Sequence, residues 1–90
     1  MQRVHIIVHG SVQGVFFRHY TKKTASSLGL KGYVRNMADG TVEIVAEGPK
    51  EKLNGLIEFC RKGPEAAEVS KVDVKFGETR NEFEGFEVRY

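Results

Sequence analysis

Gly10-Ser11-Val12-Gln13-Gly14-Val15-Phe16-Phe17-Arg18 is the segment of this 90-residue chain whose residue types and spacing could do chemistry. Its bracketing glycines allow backbone turns that other residues resist, and a helical pattern follows directly. In such a loop successive backbone N–H groups form a nest for an anion. The first helical turn adds free N–H groups and the positive end of its dipole. Arg18, about one turn into the helix, carries a planar fork that matches a pair of phosphate oxygens. The chemistry implied is the holding of a phosphate group. The Gly-Lys-[Ser/Thr] ending of a Walker A loop is absent, and so is the Gly-x-Gly-x-x-Gly dinucleotide turn, so nucleotide binding has no support. The same residues are equally compatible with an ordinary tight connection in which Arg18 is a solvated helix residue. The loop by itself does not choose between these readings.

The elements that must position this loop follow from hydrophobic periodicity. Val4 to Val8 is a run rich in β-branched residues and reads as a central strand, apolar on both faces. From Phe16 to Leu28, residues Phe17, Tyr20, Thr24, Ala25 and Leu28 fall at helical spacing, with Gly29 where a helix would end. Leu30 to Ala38 and Thr41 to Glu47 form two arms of a hairpin around Asp39-Gly40, a dipeptide suited to the positive-φ positions of a tight turn. In the second arm Val42, Ile44 and Ala46 alternate with Glu43, Val45 and Glu47, which predicts one buried and one partly exposed face. Leu53, Leu56, Ile57 and Cys60 make the inward stripe of a second helix over Lys50 to Lys62. Val72, Val74 and Phe76 then mark a half-buried strand, and Phe86, Val88 and Tyr90 a last short one in which a packed chain end is expected. The order β-α-β-β-α-β plus a terminal strand predicts an α+β, ferredoxin-like sandwich: an antiparallel sheet with two helices on one face.

Composition narrows the class. Ninety residues suit a single domain spanning 1–90, and 14 Lys and Arg against 12 Asp and Glu leave a net charge of +2, too small for a strongly basic nucleic-acid protein. No apolar run approaches the roughly 20 residues of a membrane span, and Met1-Gln2-Arg3 leads into a strand pattern rather than a signal peptide; a cytoplasmic location and no membrane partner are expected. The one cysteine excludes an internal disulfide and cannot by itself build a zinc site.

The loop Gly10 to Arg18 resembles, without a gap, the acylphosphatase signature Gly-x-Val-Gln-Gly-Val-x-[Phe/Tyr]-Arg. A second pattern of that family is met at every fixed position by Gly32-Tyr33-Val34-Arg35-Asn36, Gly40, Val42 and Gly48. The resemblance covers the whole chain and implies hydrolysis of the carboxyl-phosphate bond of acyl phosphates to carboxylate and inorganic phosphate. It implies that Arg18 holds the phosphate together with the loop Gln13, Gly14, Val15, Phe16 and Phe17, and that Asn36 orients the attacking water. It further implies a metal-independent enzyme without cofactor, taking a small-molecule acyl phosphate and releasing phosphate; no nucleic-acid partner and a monomer are expected. An RNA-recognition module shares this element order, and Lys31-Gly32-Tyr33 resembles the opening of its aromatic strand. The aromatic continuation is missing at Val34-Arg35-Asn36-Met37, and the segment lies on the second strand rather than the third.

Other reactive side chains have plainer readings. His5 and His9 lie about 13 Å apart on one strand face, too far to chelate one metal, and read as sheet or rim histidines. His19 reads as a solvated helix residue, Cys60 as a buried unreactive thiol, and Lys22-Lys23 as surface charge able to steer acidic substrates weakly.

Overall fold

The computed structural model describes residues 1–90. In it β1 (Gln2–Ser11), α1 (Phe17–Ser27), β2 (Lys31–Asn36), β3 (Val42–Gly48), α2 (Lys50–Lys62), β4 (Glu68–Gly77) and β5 (Phe86–Arg89) follow one another in the expected order. The strands form one sheet in the order β4-β1-β3-β2-β5. The first four strands pair antiparallel. β5 adds to the β2 edge in parallel, Gly32 opposite Phe86 and Arg35 opposite Arg89, so the five-stranded sheet is mixed. No helix is long and apolar enough to cross a membrane.

The core lies between the helices and one sheet face. Val4, Ile6 and Val8 of β1, Val34 of β2 and Val42, Ile44 and Ala46 of β3 meet Leu53, Leu56, Ile57 and Cys60 of α2 and Phe17 and Ala25 of α1. Period-2 and period-3.6 patterns thus meet across a single apolar layer. β3 departs from its expected half-exposure: all of Val42–Gly48 is buried. It is the middle strand, and the segment leading to β5 folds against its second face. There the backbone N–H groups of Arg80 and Asn81, with the Arg3 guanidinium, donate to the Glu47 carboxylate. Tyr33 on the same face packs edge-on to Phe83 and lies 3.9 Å below the Arg89 guanidinium.

Four further expectations need correction. In α1 the inward stripe is Phe17, Thr21 and Ala25, while Tyr20 is exposed and sets its ring against His19. Thr21 can be buried because its hydroxyl donates to the Phe17 carbonyl, an i−4 bond that satisfies it within the helix. Phe76 is exposed because β4 is an edge strand, and Tyr90 lies beyond β5 and is exposed rather than packed. The β2–β3 connection is wider than a two-residue turn. Strand pairing stops at Asn36 and resumes at Val42, and only Gly40 has positive φ (92°). The Asp39 carboxylate accepts from both the N–H and the hydroxyl of Thr41, an Asx turn that leaves the left-handed position to the glycine alone.

Candidate active site

The loop between β1 and α1 is pinned by its apolar members. Val12 and Phe17 are buried in the core and Val15 packs against it, so the polar backbone between them must turn outward. It does so with φ alternating in sign: positive at Gly14 (75°) and Phe16 (61°), negative at Gln13 and Val15. That alternation turns successive N–H groups to one side, the geometry of an anion nest. None of the N–H groups from Gln13 to Phe16 donates to a backbone carbonyl. Glycine at position 14 takes the positive φ without a Cβ penalty and opens the rim to close approach. The helix end completes the arrangement, because α1 begins without a side-chain cap or an acidic residue in its first turn. Its free N–H groups and dipole therefore face the same space uncompensated.

That space is a cleft of about 640 Å³ whose lining includes Gly14, Phe16, Phe17 and Arg18 together with Asn36. Arg18 is half-buried, and its guanidinium donates to the Arg89 carbonyl at 3.4 Å and lies 4.7 Å from the centre of the Tyr90 ring. The long side chain is thereby held by β5 instead of sampling solvent. Asn36 is the last residue of β2, and its Oδ1 is buried with no hydrogen-bond partner. Buried side-chain acceptors are satisfied in most proteins, and the residue that carries this unsatisfied one lines the cleft.

Of the residues expected to act together, Gly14, Phe16, Phe17, Arg18 and Asn36 share the cleft. Gln13 and Val15 flank it without lining it. The Gln13 side chain instead crosses to the β2–β3 connection, donating to the carbonyls of Met37 at 2.8 Å and Thr41 at 2.9 Å. Sequence reasoning gave that side chain no task. It also missed Glu87, Val88 and Tyr90, which close the cleft from β5. No local pattern announces them, because their place depends on the parallel pairing of β5 with β2. His19 and Lys22 lie at the rim, one helical turn around from the nest.

The remaining titratable groups lie elsewhere. His5 pairs with Glu43 and His9 with Asp73, each at 2.8 Å, on the sheet face away from the helices. Burial pushes the Cys60 thiol up to about 12, far from nucleophilic range.

The acylphosphatase family model matches residues 4–88 of this chain. An acylphosphatase of Pelotomaculum thermopropionicum is 47% identical over 88 residues, covering 98% of this chain and 96% of that protein. One from Caldivirga maquilingensis is 51% identical over 89 residues, covering 98% and 94%. Among solved structures, the crystal structure of an acylphosphatase from Bacillus subtilis superposes with a TM-score of 0.96 at 36% identity, each chain covered completely. Motif, fold and full-length similarity coincide, and the chain belongs to the acylphosphatase family.

Proposed function

We propose that this protein hydrolyses the carboxyl-phosphate bond of small acyl phosphates, with water attacking phosphorus and the carboxylate leaving. The observation that carries the reading is the unpartnered Oδ1 of Asn36 in the same cleft as Arg18 and the free loop amides. The amides of the nest and the first turn of α1, with the Arg18 fork, would hold the non-bridging phosphoryl oxygens and take up the charge they carry in the transition state. Asn36 Oδ1 would accept one hydrogen of the water and aim its lone pair in line with the scissile bond. An amide takes no proton at neutral pH, so the second requirement, a proton acceptor, falls to a phosphoryl oxygen of the substrate. The leaving carboxylate needs no acid, because a carboxyl group with an ordinary pKa near about 4 departs as the anion. Positioning and charge stabilisation therefore suffice, without a metal or cofactor.

The test is release of phosphate from benzoyl phosphate in the presence of a chelator, by the native protein and by Arg18→Gln. Rapid hydrolysis by the native protein and a loss of about 10³-fold or more in the variant are expected. Absence of hydrolysis by the folded native protein would remove the reading, and sensitivity to the chelator would remove its metal-free part.

A further inference from the structure

The nest requires positive φ at position 16, and a glycine would meet that requirement without strain. The residue there is phenylalanine, held at φ 61°, ψ 21° with its side chain 74% exposed. A bulky residue in the left-handed region is an outlier with a conformational cost. The core gains nothing from this ring, because it is no part of the buried cluster. Nor is it engaged by another aromatic: Phe17 meets Phe59, His19 meets Tyr20, and Tyr90 faces the Arg18 guanidinium. A strained residue with a free apolar face at the mouth of a cleft points to a role in binding.

Its position says what would be bound. Phe16 lines the phosphate cleft and also borders an apolar groove of about 350 Å³ with Val15, Tyr20 and Phe59. Under the hydrolytic reading the phosphoryl group is held by the loop amides and Arg18. The acyl group attached to it has to leave the cleft past the rim.

We infer that the Phe16 ring is the platform for the acyl group and sets a preference for aromatic and bulky apolar acyl phosphates over small ones. The inference rests on the hydrolytic reading above and adds a specificity-determining residue to it. Apolar stacking on an exposed aromatic ring favours a flat acyl group most.

The experiment compares kcat/KM for benzoyl phosphate and acetyl phosphate in the native protein, Phe16→Asn and Phe16→Tyr. The ratio of the two values is the readout. The intrinsic reactivities of the compounds and any general effect of the substitution on the cradle cancel when variant and native ratios are compared. Asparagine tolerates the left-handed conformation, so the loop is kept while the ring is removed; Phe16→Gly serves the same end should the first variant fold poorly. The benzoyl-to-acetyl ratio is expected to fall about three- to tenfold in Phe16→Asn, the scale of one lost aromatic contact, and to be kept in Phe16→Tyr. A ratio within about twofold of native in both ring-less variants would overturn the assignment to Phe16 while leaving the hydrolytic reading intact. A native protein that hydrolyses neither compound would overturn both.

Discussion

The side-chain amide of Gln13 donates to the carbonyl oxygen of Thr41 at 2.9 Å, and its second hydrogen goes to the Met37 carbonyl at 2.8 Å. Gln13 belongs to the loop that carries the amide nest, and Met37 directly follows Asn36. The cradle and the group proposed to orient water are thus tied by one side chain, across 24 residues of sequence. Both carbonyls already accept one backbone bond around the turn, Met37 from the Gly40 N–H and Thr41 from the Met37 N–H. The Gln13 bonds therefore join two units that are each closed on their own.

Gln13→Ala should accordingly loosen the relation between the units without unfolding either. Two hydrogen bonds are worth about 1–3 kcal/mol together, which corresponds to a fall in Tm of roughly 5–15 °C for a domain of this size. Hydrolysis should suffer more than stability suggests, with kcat/KM for benzoyl phosphate down about tenfold or more, because small misplacements of a positioned group are costly. Thermal melts and steady-state rates on the same preparation decide the matter, and native kinetics in a destabilised variant would refute the coupling.

Asn36→Ala should separate activity from stability in the opposite sense. The side chain makes no hydrogen bond within the protein and its Oδ1 is a buried orphan, so its loss should leave Tm unchanged or raise it slightly. Under the proposed mechanism kcat should drop by about 10²-fold, with KM changed far less. An unaltered kcat would remove Asn36 from the water-orienting role.

Acid should destabilise the fold through two buried carboxylates. Burial works against the charge on Glu43, but hydrogen bonds from His5, Arg35 and Tyr33 outweigh it and hold the carboxyl below its ordinary range. Burial likewise opposes ionisation of Glu47, and the Arg80 and Asn81 N–H groups with the Arg3 guanidinium prevail. In both cases the unfolded chain binds the proton more readily. The stability contributed is therefore complete above the unfolded carboxyl pKa of about 4.3 and is lost as pH falls through the lower folded values. Melting temperature should decline below about pH 4.5, less steeply in Glu47→Gln than in the native protein. Parallel pH profiles for the two would show that Glu47 does not contribute.

Cys60 should resist thiol reagents in the folded protein. It is buried on the inward stripe of α2, and burial pushes its thiol up to about 12. Modification by iodoacetamide at pH 8 should therefore proceed only through unfolding and accelerate with urea in step with the unfolded fraction. Fast labelling without denaturant would contradict the packing.

How much of this protein its sequence determines depends on the range over which each interaction acts. The elements are local: Leu53, Leu56, Ile57 and Cys60 at helical spacing bury one face of α2 wherever that helix packs, and the observed Lys50–Lys62 helix agrees with the pattern. The loop Gly10 to Arg18 was equally legible, because its glycines, its place before a helix and its arginine are neighbours in sequence. One error is itself local: Asp39-Gly40 signalled a turn, but its width was settled by Thr41, two residues on, bonding back to Asp39. The others fall where neighbours do not decide. Glu43 and Glu47 looked solvent-facing by alternation, yet distant groups, His5 and Arg35 for one and Arg3 and the Arg80 backbone for the other, satisfy them in a buried setting. The union of Arg18 and Asn36 in one cleft, the Gln13 tie and the wall supplied by β5 are tertiary outcomes. The first two depend on the sheet order that brings the β1–α1 loop beside the end of β2, and the third on a parallel pairing between strands some 50 residues apart; no period or propensity along the chain encodes those choices.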